Sequence, residues 1–178
     1  ADLSMENTSP SSVNLSTAVL VTGQLLSPPH VNTVVNGNGN ALTVNGGLNV
    51  DGLTLDNVDI TVNGGTIERF DHVTFQNYPP TSVQFSITHP DMDATFAGLQ
   101  FLTQPDFGEG PIGLYLFAND TDGGTPAQLT LLNASPSDGS ISTGTSGGFV
   151  VDWTEGLYAV DDADTTLEDV PITLDGLA

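Results

Sequence analysis

"TVNGGLNVDGLTLDNVDITVNGGTIERF", residues 43 to 70, contains the same five letters twice. Thr43-Val44-Asn45-Gly46-Gly47 returns as Thr61-Val62-Asn63-Gly64-Gly65, 18 positions on. An interval of that length is about one coil of a parallel β-solenoid, at or slightly below the short end of stacked repeats. Successive coils stack at the strand spacing of ~4.8 Å, so side chains one repeat apart sit above one another. Asn45 is therefore expected over Asn63 as an amide ladder at a turn, with Val44 over Val62 inside. Gly46 and Gly64 are expected to supply the positive φ that the turn needs. Asn36-Gly37, nine residues before Asn45-Gly46, reads as an earlier and degenerate copy of the same turn.

Outward from this stretch, short β-type runs dominate: "TVV", "ALTV", "GLTL", "HVTFQ", "SVQFSI", "TFAGLQFL", "GLYLFA", "QLTLL" and "GFVVDW". They carry β-branched and aromatic residues and are bounded by Gly, Asn, Asp or Pro. No stretch combines a 3.6-residue period with helix caps, so the fold class is all-β. The expected architecture is a parallel β-helix preceded by an extended N-terminal strand. The alternative is an antiparallel sandwich or jelly roll, because Asn-Gly is also the commonest short hairpin turn. Long excursions such as "NDTDGGTPA" and "SPSDGSISTGTSGG" suit a solenoid, which places insertions in loops.

Charge narrows the partners. The 178 residues include 22 acidic side chains and one basic one, Arg69, for a formal net charge of -21. Nucleic acid and anionic membrane surfaces need clustered Lys and Arg, so both are excluded as partners. Cysteine is absent, which removes disulfides and thiolate metal sites. No apolar run is long enough for a transmembrane helix. Low charge density, abundant Thr, Ser, Asn and Gly, and a first residue that is Ala read as a processed polypeptide at an extracellular or cell-surface location.

Acids are unevenly spread. Residues 7 to 50 carry no formal charge, whereas 152 to 175 hold eight acids. Two parts follow: an uncharged N-terminal segment, 1 to 30, ending at Pro28-Pro29, and a β-rich body, 31 to 178, with an acidic C-terminal part. Within the first, "VNLSTAVLV" alternates with period two and reads as one strand from Val13 to Val21. Val13, Leu15, Val19 and Val21 form its apolar face. An uncharged strand without lysine or proline is prone to edge pairing, so it must be covered. Its own body or a neighbouring subunit, to which the strand is donated, are the two ways to cover it.

"LTLDNVDITVNGGTIERFDHVTFQNY", with "GLQFL", "GLYLFANDTDG" and "LTLLNAS" after it, resembles the right-handed parallel β-helix modules of large bacterial cell-surface proteins. The resemblance spans about residues 40 to 153. It implies an extracellular passenger, adhesin or fibre module without catalysis.

Candidate chemistry is sparse. Carboxylates pair in sequence at Asp56 with Asp59 and at Asp71 beside His72, but one cation cannot serve a β-helix lyase. Glu68 and Asp71 beside Arg69 read as a surface ion pair. Asp161, Asp162 and Asp164 offer oxygen ligands for a weak calcium site, and a solvated acidic tail is the simpler reading. No other cofactor is expected. Trp153, Tyr78, Tyr115 and Tyr158 are the rings that could form a sugar platform. The expected function is a secreted structural subunit of a surface filament or matrix, self-assembled non-covalently through β-strand pairing. The alternative is a monomeric adhesin or a glycan-binding module; neither reading involves an enzyme.

Overall fold

A computed structural model describes residues 1–5, 11–27, 33–78, 84–89, 93–102, 116–121, 128–135, 143–146 and 150–154. Alternating apolar residues put strands along nearly all of it, and glycine and asparagine turn the backbone between them. The first coil is β1 (Leu3–Ser4), β2 (Ser11–Asn14) and β3 (Val19–Val21). The second is β4 (Leu25–Leu26), β5 (Thr33–Asn36) and β6 (Ala41–Val44). The third is β7 (Gly47–Asp51), β8 (Leu53–Asp56) and β9 (Asp59–Asn63). The fourth is β10 (Thr66–Asp71), β11 (Thr74–Gln76) and β12 (Phe85–His89). Then follow β13 (Ala94–Ala97), β14 (Gln100–Phe101), β15 (Leu116–Asp120), β16 (Gln128–Leu132), β17 (Thr143–Ser146) and β18 (Val150–Thr154).

Through the first four coils, every third strand lies on the same face. One sheet runs β1-β4-β7-β10, a second β2-β5-β8-β11-β14, and a third β3-β6-β9-β12-β15-β17. A fourth, β13-β16-β18, carries on from β10. All the pairings are parallel. The fold is a parallel β-solenoid, and the antiparallel sandwich is overturned.

The inner side chains form columns. Leu42, Ile60, Phe85 and Leu116 are register partners in turn, as are Val35, Leu55, Phe75 and Phe101. Seven of these eight are almost wholly buried and Phe101 is 4% exposed. Aromatic rings enter these columns from the fourth coil on: Phe75 stacks on Phe101 at 4.8 Å and 8°, and Phe70 lies 4.9 Å from Phe85.

The repeat behaves largely as its spacing implies. Thr43 and Val44 pair with Thr61 and Val62, and Asn63 Nδ2 donates to Asn45 Oδ1 at 3.4 Å. The glycines meet the expectation at Gly64 and not at Gly46. Positive φ falls on Gly47 (112°), Gly64 (81°) and Gly65 (83°), and Gly46 is not among the positive-φ residues. Gly46 is required by proximity: a Cβ there would lie 2.3 Å from the carbonyl carbon of Gly23, and one on Gly65 the same distance from that of Gly46. The earlier copy of this turn is therefore Thr22-Gly23, not Asn36-Gly37. Asn36 ends β5 at a different corner, where its side chain bonds Asn14 of the first coil.

The N-terminal segment also departs from the sequence reading. Residues 13 to 21 form two strands separated by a bend at Ser16-Thr17. β2 pairs with β5 and β3 with β6, so the segment is the first coil of the protein's own solenoid. A corner is needed there because each coil must turn between faces, and the period-two pattern runs through it.

Candidate functional site

Two surfaces stand out. The first is the outer edge of the first coil, where β1, β2 and β3 each end their sheet. Among the described residues no strand pairs beyond them. Val13 and Val19 head inner columns, above Val35 and Leu42, and Leu15 and Val21 are buried within the protein's own body. With no strand paired beyond them among the described residues, Val13 is 36% exposed and Val19 half-buried, although the next residues in both columns are almost wholly buried. Leu20 points to the outer face, opposite Thr43, and is 60% exposed. Asn14 accepts from Asn36 at 2.9 Å, and its own amide nitrogen has no partner among the described residues. No charged side chain lies on β2 or β3. Of the four residues expected to mediate assembly, then, Val13 and Val19 remain accessible, while Leu15 and Val21 serve the protein's own core.

The second surface surrounds Arg69. Its Nη1 donates to Asp51 Oδ2 at 3.1 Å and its Nη2 to Asn49 Oδ1 at 3.2 Å. Both partners belong to the preceding coil, which corrects the expected pairing with Glu68 and Asp71. Glu68 accepts from Asn49 at 2.7 Å, and Asp71 Oδ1 accepts the Ala97 backbone N–H at 2.8 Å. His72 Nδ1 lies 2.8 Å from Asp51 Oδ1, so Asp71 and His72, adjacent in sequence, face different partners. A bulge after Ile67 shifts the register of β10 on β7 and brings Arg69 opposite Asn49. Arg69 Nε is buried without a hydrogen-bond partner among the described residues.

Beside this network lie two shallow depressions of about 190 and 300 Å³ that share Asp93, Ala94 and Thr95, the smaller between β10 and β13 and the larger between β13 and β16. Ile67, Glu68, Arg69 and Phe96 complete the smaller, Gln128 and Thr130 the larger. Asp93 Oδ1 accepts the Gln128 N–H at 2.9 Å and ties the rim together.

The remaining acids divide by environment. Asp56 Oδ2 accepts from Gln76 and Asn77, each at 2.8 Å, within the outer row Asn14, Asn36, Asp56 and Gln76. Burial pushes the Asp59 carboxyl above its ordinary range. Tyr78 is buried, donates to the Val58 carbonyl, and has its phenol pushed up by desolvation. It cannot serve as a sugar platform. The Trp153 ring, Tyr115, Tyr158, and the calcium candidates Asp161, Asp162 and Asp164 lie outside the described residues. Among the described residues no group of three or more metal-ligating side chains converges. No helix among them is long and apolar enough to cross a membrane.

Sequence reading missed the outer amide and carboxylate row, although its signal was present: Asn14, Asn36, Asp56 and Gln76 recur at 20 to 22 residues. No protein-family model, curated protein or solved structure matches this sequence.

Proposed function

We propose that the protein is a structural β-solenoid subunit of an extracellular or cell-surface filament or matrix, joined end to end without covalent links. The observation that carries this reading is the open, charge-free edge of β2 and β3, with Val13 and Val19 uncovered at the heads of apolar columns. Its occupant is a coil of a second copy. Adding that coil in the same direction continues the parallel ladder, and such a head-to-tail contact propagates rather than closing. Charge favours this end as well. Two copies at -21 repel over most of their surface, and least where one of them carries few acids. The reading involves no catalysis.

A second reading, a glycan-binding or adhesive module, draws on the polar depression beside Arg69 and its neighbour along β13. It loses Tyr78 from its set of candidate rings, because that ring is in the core.

Sedimentation velocity and negative-stain imaging of the intact protein beside an Asn14→Asp/Leu20→Glu variant test the proposal. Leu20 is exposed and Asn14 lies at the open edge, so the variant keeps its fold while placing acids along that edge. The unmodified protein is expected to form polymers and the variant to sediment as monomer. Identical sedimentation of the two, as monomer or as polymer, rules out end-on pairing through this coil.

A further inference from the structure

The sequence holds four Asn-Gly dipeptides: Asn36-Gly37, Asn38-Gly39, Asn45-Gly46 and Asn63-Gly64. This pairing is intrinsically the most open to deamidation, because glycine has no Cβ to hinder approach of its nitrogen to the preceding side chain. The glycine nitrogen loses its proton and attacks the asparagine Cγ. An N–Cγ bond forms, the Cγ–Nδ2 bond breaks, and ammonia leaves. Water then opens the cyclic imide to aspartate or isoaspartate. One water is consumed and one ammonia released, with no change of oxidation state.

The fold treats the four sites unequally. Gly37 N–H donates to the Asp56 carbonyl at 2.8 Å, Gly39 N–H to that of Asn57 at 3.0 Å, and Gly46 N–H to that of Gly23 at 2.9 Å. Each bond holds the proton and points the nitrogen at a carbonyl of the neighbouring coil. Gly64 N–H makes no hydrogen bond among the described residues. A Cβ built on Gly64 meets nothing within 4 Å, whereas one on Gly46 would strike backbone. Asn63 is exposed, and the hydrogen bond it makes through its side chain is the long 3.4 Å contact to Asn45.

The register explains the difference. Thr61 and Val62 sit 18 residues beyond their partners, but Thr66 pairs with Gly47, 19 residues back. The fourth coil therefore has one extra residue at this corner. Gly65 takes the place above Gly46, and Gly64 is left outside the stack. We infer that Asn63 is a spontaneous deamidation site built into the fold, and that the other three Asn-Gly pairs are protected by coil stacking. Conversion replaces the amide that donates to Asn45 with a carboxylate that cannot, and the isoaspartate product adds a methylene to the backbone between β9 and β10. This inference is independent of the assembly reading.

The test is incubation of the intact folded protein in mildly alkaline buffer, followed by peptide mapping with fragmentation that separates aspartate from isoaspartate. A parallel sample is incubated in denaturant. In the folded protein Asn63 is expected to convert at least about fivefold faster than Asn36, Asn38 or Asn45, the protection that one net backbone hydrogen bond supplies. In denaturant the four rates should converge. Conversion of another of the four as fast as Asn63 in the folded protein, or persistence of the ranking in denaturant, overturns the inference.

Discussion

Asp59 opens β9 with its carboxylate half withdrawn from water, and burial alone raises its pKa above the ordinary 3.8. The sign of its effect follows. The native state holds this proton more tightly than the unfolded state, so the neutral carboxyl contributes stability that is fully present below about pH 3.8 and lost as pH rises through the higher folded value. At neutral pH the charged group is a liability that asparagine would remove. Asp59→Asn is expected to be more stable than the parent at pH 7, with the advantage shrinking as pH falls through the folded pKa. Urea midpoints at several pH values check this; a variant less stable at pH 7 shows that the carboxylate has a favourable role there. Arg69 presents the opposite case, since Asp51 and Asn49 of the coil beneath hold its guanidinium. The lone cation is thus tied to coil stacking and does not stand free on the surface.

Among the elements, corners constrain the sequence more tightly than strands do. Between β6 and β7, and again between β9 and β10, backbone passes over backbone with no space for a side chain at Gly46 or Gly65. A methyl at Gly46 meets backbone atoms that no rotamer change can move, so the coils must part. Gly46→Ala is expected to cost about 3 kcal/mol, the upper part of the overpacking range. Gly64→Ala has open space but a φ of +81°, and should cost about 1 kcal/mol from left-handed strain. Urea midpoints at constant slope measure both. Equal losses would show that φ alone sets the glycine requirement. At the corner between β7 and β8 and its counterparts, Gly52, His72, Gly98 and Asn133 all have positive φ and follow one another coil by coil. Three different residue types meet one backbone demand, which is why no repeated letter marks this corner.

For the whole molecule, charge and shape act together. One solenoid carries a net charge of -21, and growth of the proposed filament would add that charge at every step. Assembly is therefore expected to strengthen as salt shortens the range of repulsion, and further with divalent cations. Light scattering across an ionic-strength series, with and without chelator, measures it. Polymer yield independent of both would mean that acids of neighbouring subunits never approach.

Sequence alone determined the all-β class and favoured the solenoid, because the 18-residue return of Thr-Val-Asn-Gly-Gly and the alternating runs admit stacked parallel strands with Val44 over Val62 and Asn45 beside Asn63. The parallel pairing itself decided against the antiparallel alternative. Periodicity is a local property and can be read residue by residue. Tertiary structure decided what periodicity cannot carry. Residues 13 to 21 alternate without a break, yet they turn a corner at Ser16-Thr17 because pairing with the second coil makes the first follow its outline. Arg69 pairs with Asp51 and not with its sequence neighbours, because a bulge shifts β10 against β7. Gly64 and Gly46 are the same letter in the same repeat. One extra residue at the later corner leaves the first in open space and the second pressed against backbone, a difference set by which coil lies beneath each.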